Sequence, residues 1–207
     1  FWNSRWCTEL VAIGGRASMA DPEARRGPRL LVPPASPPRC DDLASLAARS
    51  EVVHVCGHVH LSNAFAAKKR EQLAAHAITH VLVCAYELRA AFPRDETLTY
   101  HHLPMADSPS QQLPIEEALA FIDAAAAAEP PGRVLVHCVA GGSRSASIVL
   151  AWLMRMRRLD YDAALAFLRG KRWVDPNGGF ETQLRALAMK TSSLTQPARK
   201  NQEKNYE

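Results

Sequence analysis

The chain has 207 residues, 47% of them hydrophobic and 22% charged, the composition of one ordinary globular domain with tails. Its 25 basic against 21 acidic residues and net charge of +4 are too balanced for a nucleic-acid-binding surface and amount to a mild bias toward phosphorylated ligands. No apolar run approaches the roughly 20 residues of a membrane span, and residues 1–19 lack the apolar stretch of a secretory signal, so a cytosolic or nuclear setting is expected.

In chain order, Pro22, Pro28, Pro33, Pro34, Pro37 and Pro38 stand among Arg25, Arg26, Arg29 and Arg39. This spacing excludes long helices and central strands and predicts a flexible Pro/Arg-rich leader over residues 1–45. Phe1 is not a start residue and Met19 opens an alternative N-terminus, so the first stretch is set aside from fold reasoning. Over 46–190, short β-rich runs alternate with helical ones, which predicts an α/β domain with a central, mostly parallel sheet flanked by helices. Strands are expected at 52–55, 80–85, 98–103 and 133–137. Helices are expected at 64–75, at 115–128 behind Pro114 with Glu116 and Glu117 in the first turn, and at 145–158, 161–170 and 179–190. Residues 191–207 are polar and read as a disordered tail. The five cysteines, at 7, 40, 56, 84 and 138, lack the paired spacing of a disulfide framework or a zinc ribbon and read as reduced thiols.

The stretch His137-Cys138-Val139-Ala140-Gly141-Gly142-Ser143-Arg144-Ser145 lies between the strand at 133–137 and an apolar helical run. A strand, a glycine-bearing loop and a helix N-terminus form a phosphate cradle: the small residues Ala140, Gly141 and Gly142 let successive N–H groups turn inward, and the helix dipole adds positive charge there. Val139 through Arg144 are therefore the expected substrate-binding residues. A thiol at the same point gains the helix N-terminus, the loop donors and Arg144, all of which favour its ionised form, so Cys138 is the expected nucleophile. Arg144 presents a planar fork able to follow two phosphate oxygens into a trigonal transition state. The Ser145 hydroxyl is placed to hydrogen-bond the sulfur and help it leave a phosphocysteine. His137 is expected to order the loop without transferring protons.

The segment HCVAGGSRSASIVLAWLM resembles the signature of the dual-specificity protein phosphatases, a branch of the cysteine-dependent tyrosine phosphatase superfamily. Ala77-Ile78-Thr79-His80-Val81-Leu82 is similar to that family's helix-to-strand turn, and Pro176-Asn177-Gly178-Gly179-Phe180 with Gln183-Leu184 to its late PN-x-GF-x-x-QL motif. The resemblance covers roughly residues 50–190 and implies hydrolysis of phosphotyrosine and phosphoserine or phosphothreonine in proteins through a phosphocysteine, with no metal or cofactor. It also places the general acid at Asp107, in Leu103-Pro104-Met105-Ala106-Asp107 within a Pro- and Ser-rich loop able to fold over the pocket. Too little chain precedes residue 50 for a kinase-docking domain, so the small, stand-alone members are the expected kin.

Other features carry less. His54, Cys56, His58 and His60 lie close in sequence, but no second cluster completes a metal's tetrahedron, so no metal site is expected. Lipid phosphatases of that superfamily commonly carry lysines within the loop, and their absence between Val139 and Ser143 favours phosphoprotein substrates; the oligomeric state stays open. A silent phosphoprotein-binding module of the same fold is the rival, disfavoured because Cys138, Asp107 and Arg144 are all present. A disulfide partner for Cys138, either Cys84 or Cys56, would protect the thiol reversibly.

Overall fold

A computed structural model describes residues 46–47 and 50–193. The expected leader and most of the expected tail lie outside these. Among the described residues five strands form one sheet: β1 (Val53–Cys56), β2 (Val59–Asn63), β3 (His80–Val83), β4 (Thr99–His102) and β5 (Val134–Cys138). Their order is β1-β2-β5-β3-β4, with β1 antiparallel to β2 and every other pairing parallel. The expected α/β class with a mostly parallel sheet is therefore what the chain adopts.

After β2 the helices among the described residues are α1 (Ala64–Ala67), α2 (Arg70–Ala75), α3 (Ile115–Ala127), α4 (Arg144–Arg157), α5 (Tyr161–Arg169) and α6 (Gly178–Ser193). Alternation along the strands divides the interior in two. Leu82, Cys84, Val134, Val136 and Cys138 pack into the larger core, with α3 to α6. Val81, Val83 and Leu135 pack on the other face with Leu73 and Ile78. Helix α4 is the pillar of the larger core, buried at every residue from Arg144 to Met154, with only its last turn reaching the surface. Among the described residues no helix is long and apolar enough to cross a membrane.

Two local expectations needed correction. The strand expected at 52–55 is half of a hairpin whose second strand, Val59–Asn63, is not among the expected strands. Gly57, with φ +56°, makes the turn, and β2 is buried at all five positions although it contains His60, Ser62 and Asn63. The single helix expected at 64–75 is broken at Lys68-Lys69. The Asn63 side chain accepts from Ala66 N at 2.9 Å and caps α1, whereas Lys69 adopts extended backbone. Lys69 Nζ donates to Ser50 Oγ at 2.8 Å, and Gln72 bonds both Ser50 O and Val52 N. Attachment of this turn to the chain entering β1 outweighs the weak preference for continuous helix. The last helix runs to Ser193, three residues beyond its expected end.

Candidate active site

β5 is the central strand, and its carboxyl end opens between β2 and β3, where ligands of open α/β sheets gather. Cys138 is its last residue, only 1% exposed. The Cys138 Sγ accepts from Gly141 N and from Ser145 Oγ, both at 3.2 Å. The loop is seated on β2: Ala64 N donates to Val139 O at 3.0 Å, and a Cβ on Gly141, whose φ is +74°, would lie 2.5 Å from Ser62 O. Gly142 is equally constrained, since a Cβ there would meet the Trp173 ring at 2.7 Å. Val139 and Ala140 stay half-buried at the surface of the loop. Small residues are required here by close packing as much as by conformation.

Arg144 is the first residue of α4 and only 5% exposed. Its Nη1 donates to both carboxylate oxygens of Glu87, at 2.7 and 2.8 Å, and to Met105 O at 3.1 Å. Its buried Nε has no hydrogen-bond partner and lies 3.7 Å from Asp107 Oδ2. One edge of the guanidinium is thus fully engaged and another holds an unused donor. Asp107 stands opposite, with Oδ1 accepting from Ser143 Oγ at 2.7 Å and from Asn177 Nδ2 at 2.9 Å. Ser143 makes no side-chain cap on α4, which leaves the first N–H groups of that helix to the loop. All the residues singled out from sequence, Cys138, Val139, Ala140, Gly141, Gly142, Ser143, Arg144, Ser145 and Asp107, are therefore gathered at one end of the sheet.

His137 is buried, and burial pushes its imidazole down to about 4, so the ring is neutral near pH 7. Cys84 continues β3 beside Cys138: Val83 pairs with His137, and Cys84 N donates to His137 O at 2.8 Å. Burial pushes the Cys84 thiol well up, and the neighbouring Cys138 acts in the same direction. Cys56 ends the antiparallel strand β1 and faces Val59 at the start of β2, which puts it at the opposite end of the sheet from Cys138. The histidine group near it does not converge. His54 and His76 flank the His60 ring at 5.0 and 5.3 Å, whereas His58 turns away to bond Ile122 O. Among the described residues no group of three or more His, Cys, Asp or Glu is placed to hold a metal ion.

Sequence reasoning missed Glu87 and Arg172 and assigned no role to Asn177. Glu87 follows β3 at the carboxyl end of the sheet, and that position was the signal available for it. Arg172 lies behind the loop, its Nη2 3.1 Å from the Cβ position of Gly141 and its Nη1 donating to Leu61 O at 3.4 Å. No spacing rule points to it.

Residues 59–190 match the family model described as dual specificity phosphatase, catalytic domain. Dual specificity protein phosphatase 13B of Homo sapiens is 34% identical over 168 residues, which cover 74% of this chain and 85% of that protein. Dual specificity protein phosphatase 1 of Arabidopsis thaliana is 35% identical over 130 residues, 62% of this chain and 65% of that protein's length. The crystal structure of human DUSP28 superposes with a TM-score of 0.62 at 29% identity, covering 69% of this chain and 99% of that one.

Proposed function

The chain belongs to the dual specificity phosphatases, and from that membership we propose that it hydrolyses phosphotyrosine and phosphoserine or phosphothreonine in proteins through a phosphocysteine at Cys138. One observation carries the proposal. The buried thiol receives two donors while, across the loop, the unbonded Nε of Arg144 and the carboxyl of Asp107 lie 3.7 Å apart. A nucleophile, a fixed cation with a spare donor and a carboxylic acid together supply what phosphoryl transfer from a poor leaving group requires.

In the first step the Cys138 thiolate attacks phosphorus. The bond to the ester oxygen breaks, and Asp107 gives that oxygen its proton. The loop N–H groups and Arg144 hold the equatorial oxygens through the trigonal transition state. In the second step Asp107, now ionised, takes a proton from water as it attacks phosphorus. The S–P bond breaks, and Ser145 stabilises the departing thiolate by the hydrogen bond already present at 3.2 Å. A cytosolic or nuclear setting would keep Cys138 reduced.

The test is hydrolysis of an aryl phosphate and of phosphotyrosine and phosphothreonine peptides, with chelator present, by wild type, Cys138→Ser and Asp107→Ala. Activity should survive chelation, vanish in Cys138→Ser, and fall in Asp107→Ala most for poor leaving groups. Activity unchanged by Cys138→Ser would overturn the mechanism, and a wild type that binds phosphopeptides without cleaving them would identify a silent binding module.

A further inference from the structure

The chain's late motif, Pro176 to Leu184, lies 70 residues beyond Asp107 and touches no part of the thiol. Its polar side chains reach instead for the loop that carries Asp107. Asn177 divides its amide between two tasks. Its Oδ1 accepts from Gly179 N and Phe180 N, both at 3.1 Å, and starts α6, while its Nδ2 donates to Asp107 Oδ1 at 2.9 Å. Asn177 N also donates to Ser143 Oγ at 3.3 Å, and that hydroxyl donates to the same Asp107 oxygen at 2.7 Å. Two turns into α6, Gln183 accepts from Leu113 N at 2.9 Å and donates to Gln111 O at 2.9 Å. Gln111 in turn accepts from Ala106 N at 3.1 Å. The loop from 106 to 113 is thereby fastened at both ends to the start of α6.

We propose that Asn177 and Ser143 are positioning residues for the general acid, acting with Gln183 to make the N-terminal end of α6 the anchor of the acid loop. This rests on the assignment of Asp107 above. Both donors go to Oδ1, so a proton on this carboxyl resides on Oδ2, the oxygen 3.7 Å from Arg144 Nε and therefore the one beside the phosphate site. The anchor thus selects which oxygen acts as well as where the carboxyl stands. Because the linkage is already made, the acid needs no substrate-driven closure to be in place.

The test compares Asn177→Ser, which keeps a helix-capping oxygen but is too short to reach Asp107, with Ser143→Ala, Asp107→Ala and the double variant Asn177→Ser/Asp107→Ala. Substrates are an activated aryl phosphate and a phosphothreonine peptide, and melting temperatures monitor the fold. General acids contribute 10²–10⁴-fold, and a loosened one should forfeit part of that. Each single anchor variant is expected to lose about 10- to 100-fold more on the peptide than on the activated ester. The double variant should be no worse than Asp107→Ala. Equal losses on both substrates, or additive loss in the double variant, would overturn the anchor while leaving the acid assignment standing. An Asp107→Ala enzyme indifferent to leaving group would overturn both. Should Asn177→Ser melt early through its role at α6, Ser143→Ala carries the same comparison alone.

Discussion

Replacing Gly141 with alanine isolates the contribution of the phosphate loop from that of the acid. The added Cβ would sit 2.5 Å from Ser62 O and 2.8 Å from Ser62 C. Both atoms belong to the backbone of a buried strand that cannot yield, so the loop must retreat by about 0.9 Å to reach ordinary contact. The φ of +74° adds roughly 1–2 kcal/mol of conformational cost for an L side chain. Retreat breaks the 3.2 Å hydrogen bond from Gly141 N to Cys138 Sγ, and a misplacement near 1 Å at a reacting centre is worth on the order of 10²-fold. Steady-state assays should therefore find kcat/KM about 100-fold lower for good and poor leaving groups alike, with a melting temperature only about 2–8 °C lower. A variant within threefold of wild type would refute the claim that this backbone contact sets the loop.

Glu87→Ala should free the engaged edge of the Arg144 guanidinium and lower kcat/KM by at least about tenfold, again without leaving-group dependence; unchanged kinetics would show that Met105 O suffices to hold it. Peroxide should convert Cys138 to a sulfenic acid, which Cys84 attacks as its thiolate, once local opening lets it ionise, with net loss of water. Adjacent strands lie about 4.8 Å apart, within the Cα separations a disulfide accepts, so peptide mapping should find a reversible Cys84–Cys138 crosslink and none to Cys56, and an unlinked oxidised protein would dismiss it. Burial holds the His60 and His137 rings down to about 4 against 6.5; His60 faces His54, His76 and Arg133, and His137 faces His102 and Lys68. The unfolded chain takes up protons first, so stability is lost as pH falls from about 6.5 toward 4, by about 3 kcal/mol for each ring. Urea midpoints measured between pH 7 and 4.5 should fall accordingly and fall less in His60→Leu; a flat profile would contradict the burial argument.

The residues that make the candidate site were legible because their chemistry is tied to local order: Cys138, the glycines, Arg144 and Ser145 are consecutive, and the strand and helix around them carry clear patterns. Asp107 is marked in sequence by its Pro- and Ser-rich loop between a strand and the helix at 115, but the family resemblance is what assigns it the acid's role. Arg172 was illegible because it acts through a contact made by distant segments, and Glu87 carried only the weak signal of its place after β3. Strand β2 escaped because the polar His60, Ser62 and Asn63 interrupt its apolar pattern, yet all are buried. Asn63 is accounted for by Ala66 N and by its own bond to Leu46 O at 2.8 Å. Nothing comparable satisfies His60 Nδ1.

The burial of α4 from Arg144 to Met154 ties the life of the site to that of the whole domain. Amides of a helix enclosed in this way exchange with solvent only when the molecule opens globally. The segment bearing Arg144 and Ser145 thus has no private route to melting, whereas the half-exposed loop around Asp107, held by a few side-chain bonds, opens at far lower cost. Heat should accordingly extinguish turnover of poor leaving groups before it touches the capacity of the loop to hold an oxyanion, and that capacity should vanish together with the last cooperative structure.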